Sequence, residues 1–400
     1  MGLCLAGLAP VAAADGLDAF KHAASAGTPN LDARLRYEGV DQDNALTNAH
    51  ALTLRSRLGY TTGKWNGLDA QLEYEGTVYI GDELYNNNRP GGKTGYSVVA
   101  DPAGSELNQA WVRYAGIPGV VLKLGRQRMV FDNARFVGNV GWRQNEQTYE
   151  GALITTTLVP RTTISYAFIS DVNTPVFLDW RMHAHLANVA FAPLPALTVT
   201  AYGYLLDFNA QATTPPGSLN PPAREDTQTL GVRASGSVPL GAAKLGYALE
   251  YADQGDYADS AVGGPNYYLV EVSGGIPLIT GKLAYEVLGG DGVNSFQTPL
   301  ATLHAFQGWA DQFLVTPRNG IRDLNATLTG TVARVALLAR WHDFKSDEGS
   351  IDYGTEVDLQ ATWPVNDRLS VGAKYADFNA ATTPPFVDTR KSWAWAEYRF

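Results

Sequence analysis

The chain has 400 residues, among them 41 Gly, 20 Tyr, 9 Trp, 3 Met and 1 Cys, and 18% of its residues are charged. Its length alone would favour two or three soluble domains, since a typical domain has about 100–200 residues. The abundance of Gly and aromatic residues and the scarcity of Met favour strands and turns over helices. No apolar run approaches the roughly 20 residues of a membrane-spanning helix, which excludes a helical membrane protein. The formal charge of −10 argues against a nucleic-acid partner, because such proteins carry a concentrated basic face.

The first fourteen residues form a short apolar segment that ends in alanines before Asp15. This pattern is typical of the core and cleavage site of a secretory signal peptide, so we predict that residues 1–14 are a signal-peptide remnant. A buried apolar N-terminus is the alternative. Cleavage after Ala14 would remove Cys4, the one cysteine of the chain, and would leave no disulfide or thiolate metal site.

Alternation of apolar and polar residues with a period of two dominates the remainder of the chain. Residues 51–60, 68–75 and 356–363 show it clearly. Side chains on a strand point alternately to its two faces, so each segment has one apolar and one polar face. The polar faces are densely charged and the segments run for about 8–12 residues, which favours tilted membrane-crossing strands over the shorter strands of a soluble sandwich.

Eighteen segments follow this pattern, and single-chain bacterial outer-membrane barrels have an even number of strands. The predicted strands are 31–38, 51–60, 68–78, 106–115, 120–127, 147–158, 162–171, 183–191, 197–207, 227–238, 243–253, 266–275, 281–289, 321–330, 332–343, 353–363, 368–377 and 390–400. Eight short turns alternate with nine long polar connections, which places both termini on the short-turn, periplasmic side. We therefore predict an all-β fold, a transmembrane antiparallel β-barrel over residues 31–400, preceded by a periplasmic segment over residues 15–30.

The chain ends in an alternating segment whose last residue is Phe400. This ending resembles the C-terminal signal of outer-membrane barrels, which the barrel-assembly machinery reads. It predicts the outer membrane of a Gram-negative bacterium as the location, with membrane lipid and lipopolysaccharide as surroundings.

A barrel of this size leaves an aqueous lumen, and its inward side chains then determine what passes. Parity with the apolar face predicts a set of inward charged residues on the first strands, namely Arg34, Arg36, Arg55, Arg57, Glu73, Glu75 and Lys123. They form an arginine ladder beside a carboxylate ladder. The alternative is that they pair across strands and only stiffen the barrel.

Residues 125–146 combine four Arg with a Trp and two Phe. A solvated external loop does not need this combination, whereas a loop folded into the lumen packs its apolar side on the wall and presents its charges to solute. We therefore predict that the third external loop folds inward. Arg is a planar, permanently charged donor suited to carboxylates. Parity leaves Arg126 open, because it points inward only if its strand ends or bulges at Gly125.

Several motifs in this region resemble the hallmark segment of the alginate-export porin family. They are Asn108-Gln109-Ala110-Trp111-Val112-Arg113-Tyr114, Leu124-Gly125-Arg126-Gln127, Arg135-Phe136-Val137-Gly138-Asn139 and Trp142-Arg143-Gln144. The resemblance implies a monomeric eighteen-stranded outer-membrane barrel whose arginine-rich lumen selects anionic polysaccharide. It further implies selectivity roles for Arg113, Arg126, Arg128, Arg135 and Arg143, with Asp132 as a countercharge in the constriction.

The predicted function is an outer-membrane channel for passive diffusion of anionic oligo- or polysaccharide, or of similar anionic solutes. A general small-solute porin of the same fold is the first alternative, and a barrel-based hydrolase or adhesin is the second. The chain lacks the phosphate-binding loop, the nucleophile elbow and the zinc-protease motif, so we expect no enzyme activity. We expect no cofactor and no metal, because His183 and His185 lack a nearby third ligand, and Ca²⁺ in acidic external loops is a weaker alternative to simple solvation.

Overall fold

The computed structural model describes residues 11–209, 225–381 and 385–400. Most of the predicted signal-peptide remnant, residues 1–10, and parts of two external connections lie outside the described residues. The described residues contain one α-helix, α1 (Val11–Ser25), and a short 3₁₀ turn, Leu303–Ala305. No helix in them is long and apolar enough to cross a membrane.

Eighteen β-strands make up most of the described chain. They are β1 Thr28–Gln42, β2 Ala49–Thr61, β3 Leu68–Tyr79, β4 Gly104–Tyr114, β5 Val120–Gln127, β6 Thr148–Thr156, β7 Thr162–Asn173, β8 Asp179–Leu194, β9 Leu197–Phe208, β10 Thr227–Leu240, β11 Ala243–Asp256, β12 Asn266–Ile276, β13 Ile279–Leu288, β14 Ile321–Val332, β15 Val335–Lys345, β16 Asp352–Pro364, β17 Leu369–Ala380 and β18 Thr389–Arg399. Each strand pairs with the next in antiparallel register, and β18 pairs with β1. The sheet therefore closes, which confirms the predicted barrel and its strand number.

Several strands extend further than their patterns predicted. One such difference is at β8, which begins at Asp179 instead of residue 183. The external connection before it consequently shrinks from the predicted 172–182 to residues 174–178. The ladder continues there because Asp171 pairs with Arg181 and Asn173 with Asp179 across the two strands. Polar residues thus form strand at the external rim, where the alternating pattern of the sequence has already ended.

The two faces of the wall have opposite character, as β2 shows. Leu52 and Leu58 are 36% and 54% exposed on its outer face, whereas Arg55 and Arg57 are buried on its inner face. This arrangement inverts that of a soluble protein. An apolar outer face is stable only against lipid, so the barrel fits a membrane.

Loop L3 (residues 128–147) folds into the barrel, as the sequence predicts. Its Phe136 ring lies 5.2 Å from the rings of both Tyr202 on β9 and Tyr267 on β12. The other end of the loop reaches the opposite wall, where the Arg34 side chain of β1 donates to the carbonyl oxygen of Trp142 at 2.9 Å. L3 therefore crosses the lumen.

A second long connection, loop L7 (residues 289–320), also folds inward, which the sequence analysis did not predict. Trp309 and Phe313 of L7 are each 5% exposed. Backbone hydrogen bonds join L7 to L3, from Gly138 N to Leu300 O at 2.9 Å and from Thr302 N to Ala134 O at 3.0 Å. Together the two loops narrow the lumen.

Both ends of the described chain lie at the short-turn end of the barrel. Phe400 exchanges backbone hydrogen bonds with Leu31 of β1, at 2.8 and 3.1 Å. In outer-membrane barrels the short turns are periplasmic. Recognition of Phe400 by the assembly machinery, and the periplasmic segment over residues 15–30, stay predictions.

Gly125 on β5 offers a test of wall geometry. Its φ is +110°, and an added Cβ would lie 2.2 Å from the carbonyl oxygen of Ala110 on β4. We expect Gly125→Ala to reduce the folded fraction on refolding in detergent, since an L-residue in a left-handed conformation costs about 1–2 kcal/mol before any clash. The heat-modifiable band on a denaturing gel measures that fraction. Gly274→Ala on β12 is the matched control, because nothing lies within 4 Å of its added Cβ; equal folded fractions for the two variants would contradict the expectation.

Candidate functional site

The inner wall of β1 and β2 carries four arginines. Arg34 and Arg36 lie on β1, Arg55 and Arg57 lie on β2, and the register places Arg34 directly opposite Arg55. All four are 6% exposed or less. Guanidinium groups packed so closely repel one another strongly away from bulk water. They therefore require compensation from the surrounding structure.

Carboxylates compensate three of the four. Arg36 forms ion pairs with Glu38, at 3.2 Å, and with Asp101 of loop L2 (residues 80–103). Arg57 pairs with Glu75 of β3. Arg55 pairs with Glu397 of β18 at 3.0 Å and also contacts Asp32. The arginine and carboxylate ladders therefore pair across strands, which is the alternative given from the sequence, and L2 adds a carboxylate to them.

Arg34 is held differently. Its Nε donates to Gln144 Oε1 at 2.9 Å, and its Nη2 donates to the carbonyl oxygens of Trp142 and Arg143 at 2.9 and 2.5 Å. The ion pairs found among the described residues include none at Arg34. Dipoles of L3 thus stabilise this cation while leaving its net charge in place.

Glu146 anchors L3 to the wall beneath it. Its Oε1 accepts hydrogen bonds from Arg128 Nε at 2.5 Å and from Asn108 Nδ2 at 2.5 Å, and its carboxylate lies 3.9 Å from the Arg57 guanidinium. Burial would raise the pKa of Glu146, but Arg57 and Arg128 outweigh burial and hold that pKa below its ordinary value. Glu146 therefore stays charged and holds the loop at neutral pH.

Three further cations of β4, β5 and L3 reach the solvent of the lumen. Arg128 pairs with Glu73 at 2.7 Å, yet its side chain is 34% exposed while that of Glu73 is 3% exposed. Arg113 pairs with Asp69, with side-chain exposures of 37% and 4%. Lys123 is partly exposed and lies 4.3 Å from the centre of the Trp111 ring. In each ion pair the cation faces water and the carboxylate is covered.

A second ionic cluster joins L3 to L7 and the wall. Arg143 lies 3.2 Å from Glu38 and 2.9 Å from Asp311 of L7, and Lys391 of β18 lies 2.7 Å from the same aspartate. His304 Nδ1 contacts Asp311 at 2.6 Å. Burial would raise the pKa of Asp311, but the surrounding His304, Lys391 and Arg143 hold it well below its ordinary value.

His304 has the opposite tendency. Burial lowers the pKa of its imidazole well below the ordinary value, and the attraction of Asp311 does not compensate. A neutral His304 stacks on Trp142 with ring centres 5.3 Å apart. A cavity of about 340 Å³ lies against this cluster at the external end, with Arg143, His304, Asp311 and Lys391 among its lining residues.

Sequence reasoning missed several members of the site. Asp101, Asp311 and His304 come from connections that the pattern described only as long and polar. A signal for L7 was present, since Phe306, Trp309 and Phe313 bring three aromatic rings into eight residues of a supposed external loop. This is the same anomaly that predicted the inward fold of L3.

Arg126 requires a correction, because it does not line the lumen. The strand β5 continues regularly through Gly125, and Gln127 rather than Arg126 shares the inward face of Lys123, with its amide donating to Lys123 O and Gly125 O at 3.3 Å. Arg126 therefore faces outward near the external rim. There its Nε donates to Glu150 at 3.0 Å.

Asp132 and Arg135 both lie in L3, the loop that crosses the lumen. Asp132 does not contact any of the five arginines; its Oδ2 accepts a hydrogen bond from Asn188 of β8 at 2.8 Å. Arg135 is 1% exposed and pairs with Glu286 of β13 at 2.7 Å. Arg135 thus fastens L3 to the far wall and does not contact solvent.

The histidine pair of β8 has no ligand geometry. His183 lies 3.8 Å from Asp207, and His185 contacts the Tyr166 hydroxyl at 2.7 Å. Within the described ranges, no three His, Cys, Asp or Glu side chains come together as a metal-binding group.

The family assignment rests on sequence. The family model for alginate export matches residues 30–263, which is more than half of the chain. The chain belongs to the alginate export family. Family and fold together indicate a transport channel and not an enzyme. No curated protein sequence matches the chain.

Solved structures of similar fold are outer-membrane proteins. OpdK of Pseudomonas aeruginosa, solved with vanillate, superposes with a TM-score of 0.70 at 13% identity, over 93% of this chain and 98% of that one. OccAB2 of Acinetobacter baumannii gives a TM-score of 0.74 at 13% identity, over 95% of this chain and 99% of that one. At this identity the likeness shows the fold, a porin-like barrel of the Gram-negative outer membrane.

Removal of the Glu146 charge should loosen L3 without opening the barrel. In Glu146→Gln the guanidinium groups of Arg57 and Arg128 each lose one carboxylate partner and keep another, Glu75 and Glu73, so we expect a cost of about 1–3 kcal/mol. We expect larger and noisier single-channel conductance and faster proteolysis within L3, with the heat-modifiable band retained. Glu348→Gln, in an exposed external connection, is the control; identical conductance and proteolysis in both variants would refute the anchoring role.

Acid should release the same loops. The pKa values of Asp101, Glu146 and Asp311 are all lowered in the fold. Their contribution to stability is therefore complete above their unfolded pKa of about 4 and is lost as the pH falls through the lower folded values. We expect constant conductance from pH 7 to about 5 and a change only below about 4. A titration of single-channel conductance tests this, and a transition near pH 6 would contradict it.

Proposed function

We propose that this protein is an outer-membrane channel for the passive diffusion of anionic solutes. The proposal rests on a difference in exposure between the cation and the carboxylate of two ion pairs in the lumen. Arg113 and Arg128 expose about a third of their side chains, whereas their partners Asp69 and Glu73 expose 4% or less. At these two ion pairs a solute in the lumen meets the cation, because the carboxylate is covered.

Lys123 strengthens this asymmetry. It takes part in none of the ion pairs found in the described residues, and its side chain is partly exposed. Lys123 lies on the same wall as Arg113, its register partner. Several weak cationic contacts along a wall attract an anion and still allow it to leave, which is the requirement for conduction.

The size of the path favours short solutes. L3 and L7 meet across the lumen, and the cavity at the external end has a volume of about 340 Å³, near the lower limit of small-molecule sites. A small organic anion or a short anionic oligosaccharide fits this space better than a polysaccharide chain does. The similar fold of OpdK was solved with vanillate, an aromatic carboxylate, which agrees with a small anionic solute.

A general small-solute porin of the same fold is the second candidate. It is favoured by the pairing of Arg36, Arg55, Arg57 and Arg143 with carboxylates, since paired charges select weakly. The direction of transport under this proposal follows the solute gradient, as for any passive channel.

Reversal potentials in planar bilayers under a KCl gradient separate the two candidates. We expect an anion-preferring potential for the native protein and a reduced preference for Lys123→Gln. One unit charge at about 4 Å contributes about 1 kcal/mol in water, so the permeability ratio should fall by roughly two- to fivefold. Lys123→Gln breaks none of the ion pairs found in the described residues, so a change in selectivity can be attributed to the lost positive charge.

Arg334→Gln is the matched control, because it removes one positive charge from the exposed β14–β15 turn, outside the lumen. We expect it to leave the reversal potential unchanged. A cation-preferring reversal potential for the native channel would contradict the proposal. A native channel without preference would favour the general porin.

A further inference from the structure

Helix α1 lies against the outside of the barrel at its short-turn end. The Tyr60 hydroxyl of β2 accepts a hydrogen bond from Gly27 N at 2.8 Å and donates to Ala24 O at 2.9 Å. Gly63 N, in the turn after β2, donates to Ala23 O at 2.9 Å. The C-terminal end of the helix is thus fixed to the β2–β3 hairpin.

The face of the wall that holds α1 is the outer one. Tyr60 lies two residues after Leu58 on β2, so both side chains point to the same face, opposite to that of the buried Arg57. Leu58 is 54% exposed. Across the ladder Tyr60 pairs with Leu72, which is 62% exposed. The helix is therefore seated beside apolar side chains that only lipid covers in a membrane barrel.

The helix itself is amphipathic. One face carries Leu17, Phe20 and Ala24, which have the i, i+3, i+7 spacing of a helix face. The other face carries Asp18, Lys21, His22 and Ser25. Leu17 is 53% exposed and Phe20 is 49% exposed, although Phe20 packs edge-on against Trp65 at 5.4 Å. The polar face is solvated, with a Lys21–Asp18 ion pair at 3.4 Å. Apart from the contact of Phe20 with Trp65, about half of the surface of Leu17 and Phe20 is thus left uncovered by the described part of the chain.

We propose that α1 is an interfacial helix whose Leu17–Phe20 face inserts into the phospholipid of the periplasmic leaflet. We assign lipid as the partner of this face because the face continues the apolar outer surface formed by Leu58 and Leu72, which lipid covers in a membrane barrel. Trp65 of the β2–β3 turn contacts Phe20, and Tyr60 of β2 donates to Ala24 O; aromatic side chains of this kind are typical of the membrane–water interface. Amphipathic helices bind such an interface with the apolar face buried at the headgroup boundary.

Depth-sensitive quenching tests the proposal. In a Cys4→Ser background, Leu17→Cys and His22→Cys place single thiols on the two faces of α1 in the full chain. Each is labelled with an environment-sensitive fluorophore and reconstituted into phospholipid vesicles with brominated acyl chains. We expect quenching at position 17 to exceed that at position 22 by about threefold or more, as for a helix lying in the interface.

Three outcomes would overturn the proposal: equal quenching at both positions, negligible quenching at both, or a blue shift at position 17 without bromine quenching, which would mark burial against protein. A second measurement does not depend on the label. Leu17→Asp with Phe20→Asp should make the N-terminal segment cleavable by protease in vesicles, whereas His22→Asp with Ser25→Asp adds the same two carboxylates to the polar face and should not. Equal cleavage of the two double variants would also overturn it.

Discussion

The position of the inward loops depends on buried charge. An arginine removed from water costs several kcal/mol unless a partner compensates it, and Arg36, Arg57 and Arg143 are buried almost completely. The wall alone does not supply enough partners. Asp101 of L2, Glu146 of L3 and Asp311 of L7 supply the remainder. The loops are therefore held inside the barrel by the same guanidinium groups that they neutralise.

The charges of the lumen consequently fall into two classes. Buried pairs such as Arg57–Glu75 and Arg135–Glu286 fix the shape of the opening. Partly exposed cations such as Arg128 and Lys123 meet whatever passes. The chain has 40 acidic and 30 basic residues, yet part of its inner wall can be cationic. The net charge of a chain does not indicate which charged side chains are exposed to water.

Alternation, together with the length of the segments and their charged faces, was enough to predict the barrel, its strand number and the inward direction of Arg34 and Arg57, because a strand fixes its side chains with a period of two. Aromatic rings inside a long connection predicted the fold of L3. The same argument would have found L7, whose Trp309 and Phe313 were overlooked. Partners could not be predicted, since the contacts of Asp101 and Asp311 join residues far apart in the chain. Parity could not place Arg126, which was assigned to the lumen from the resemblance; its register partners Ala110 and Glu150 place it on the outer face of β5, with Leu124.

Backbone hydrogen bonds form a seam between L3 and L7, so the two loops cannot move independently. Gly138 and Ala134 of one loop bond through the backbone to Leu300 and Thr302 of the other, so the bonds of this seam do not depend on side-chain donors or acceptors. Displacement of either loop must break it or carry the other loop along. L3 and L7 therefore form one partition of the lumen and not two independent loops, and a displacement of one loop should be coupled to a displacement of the other.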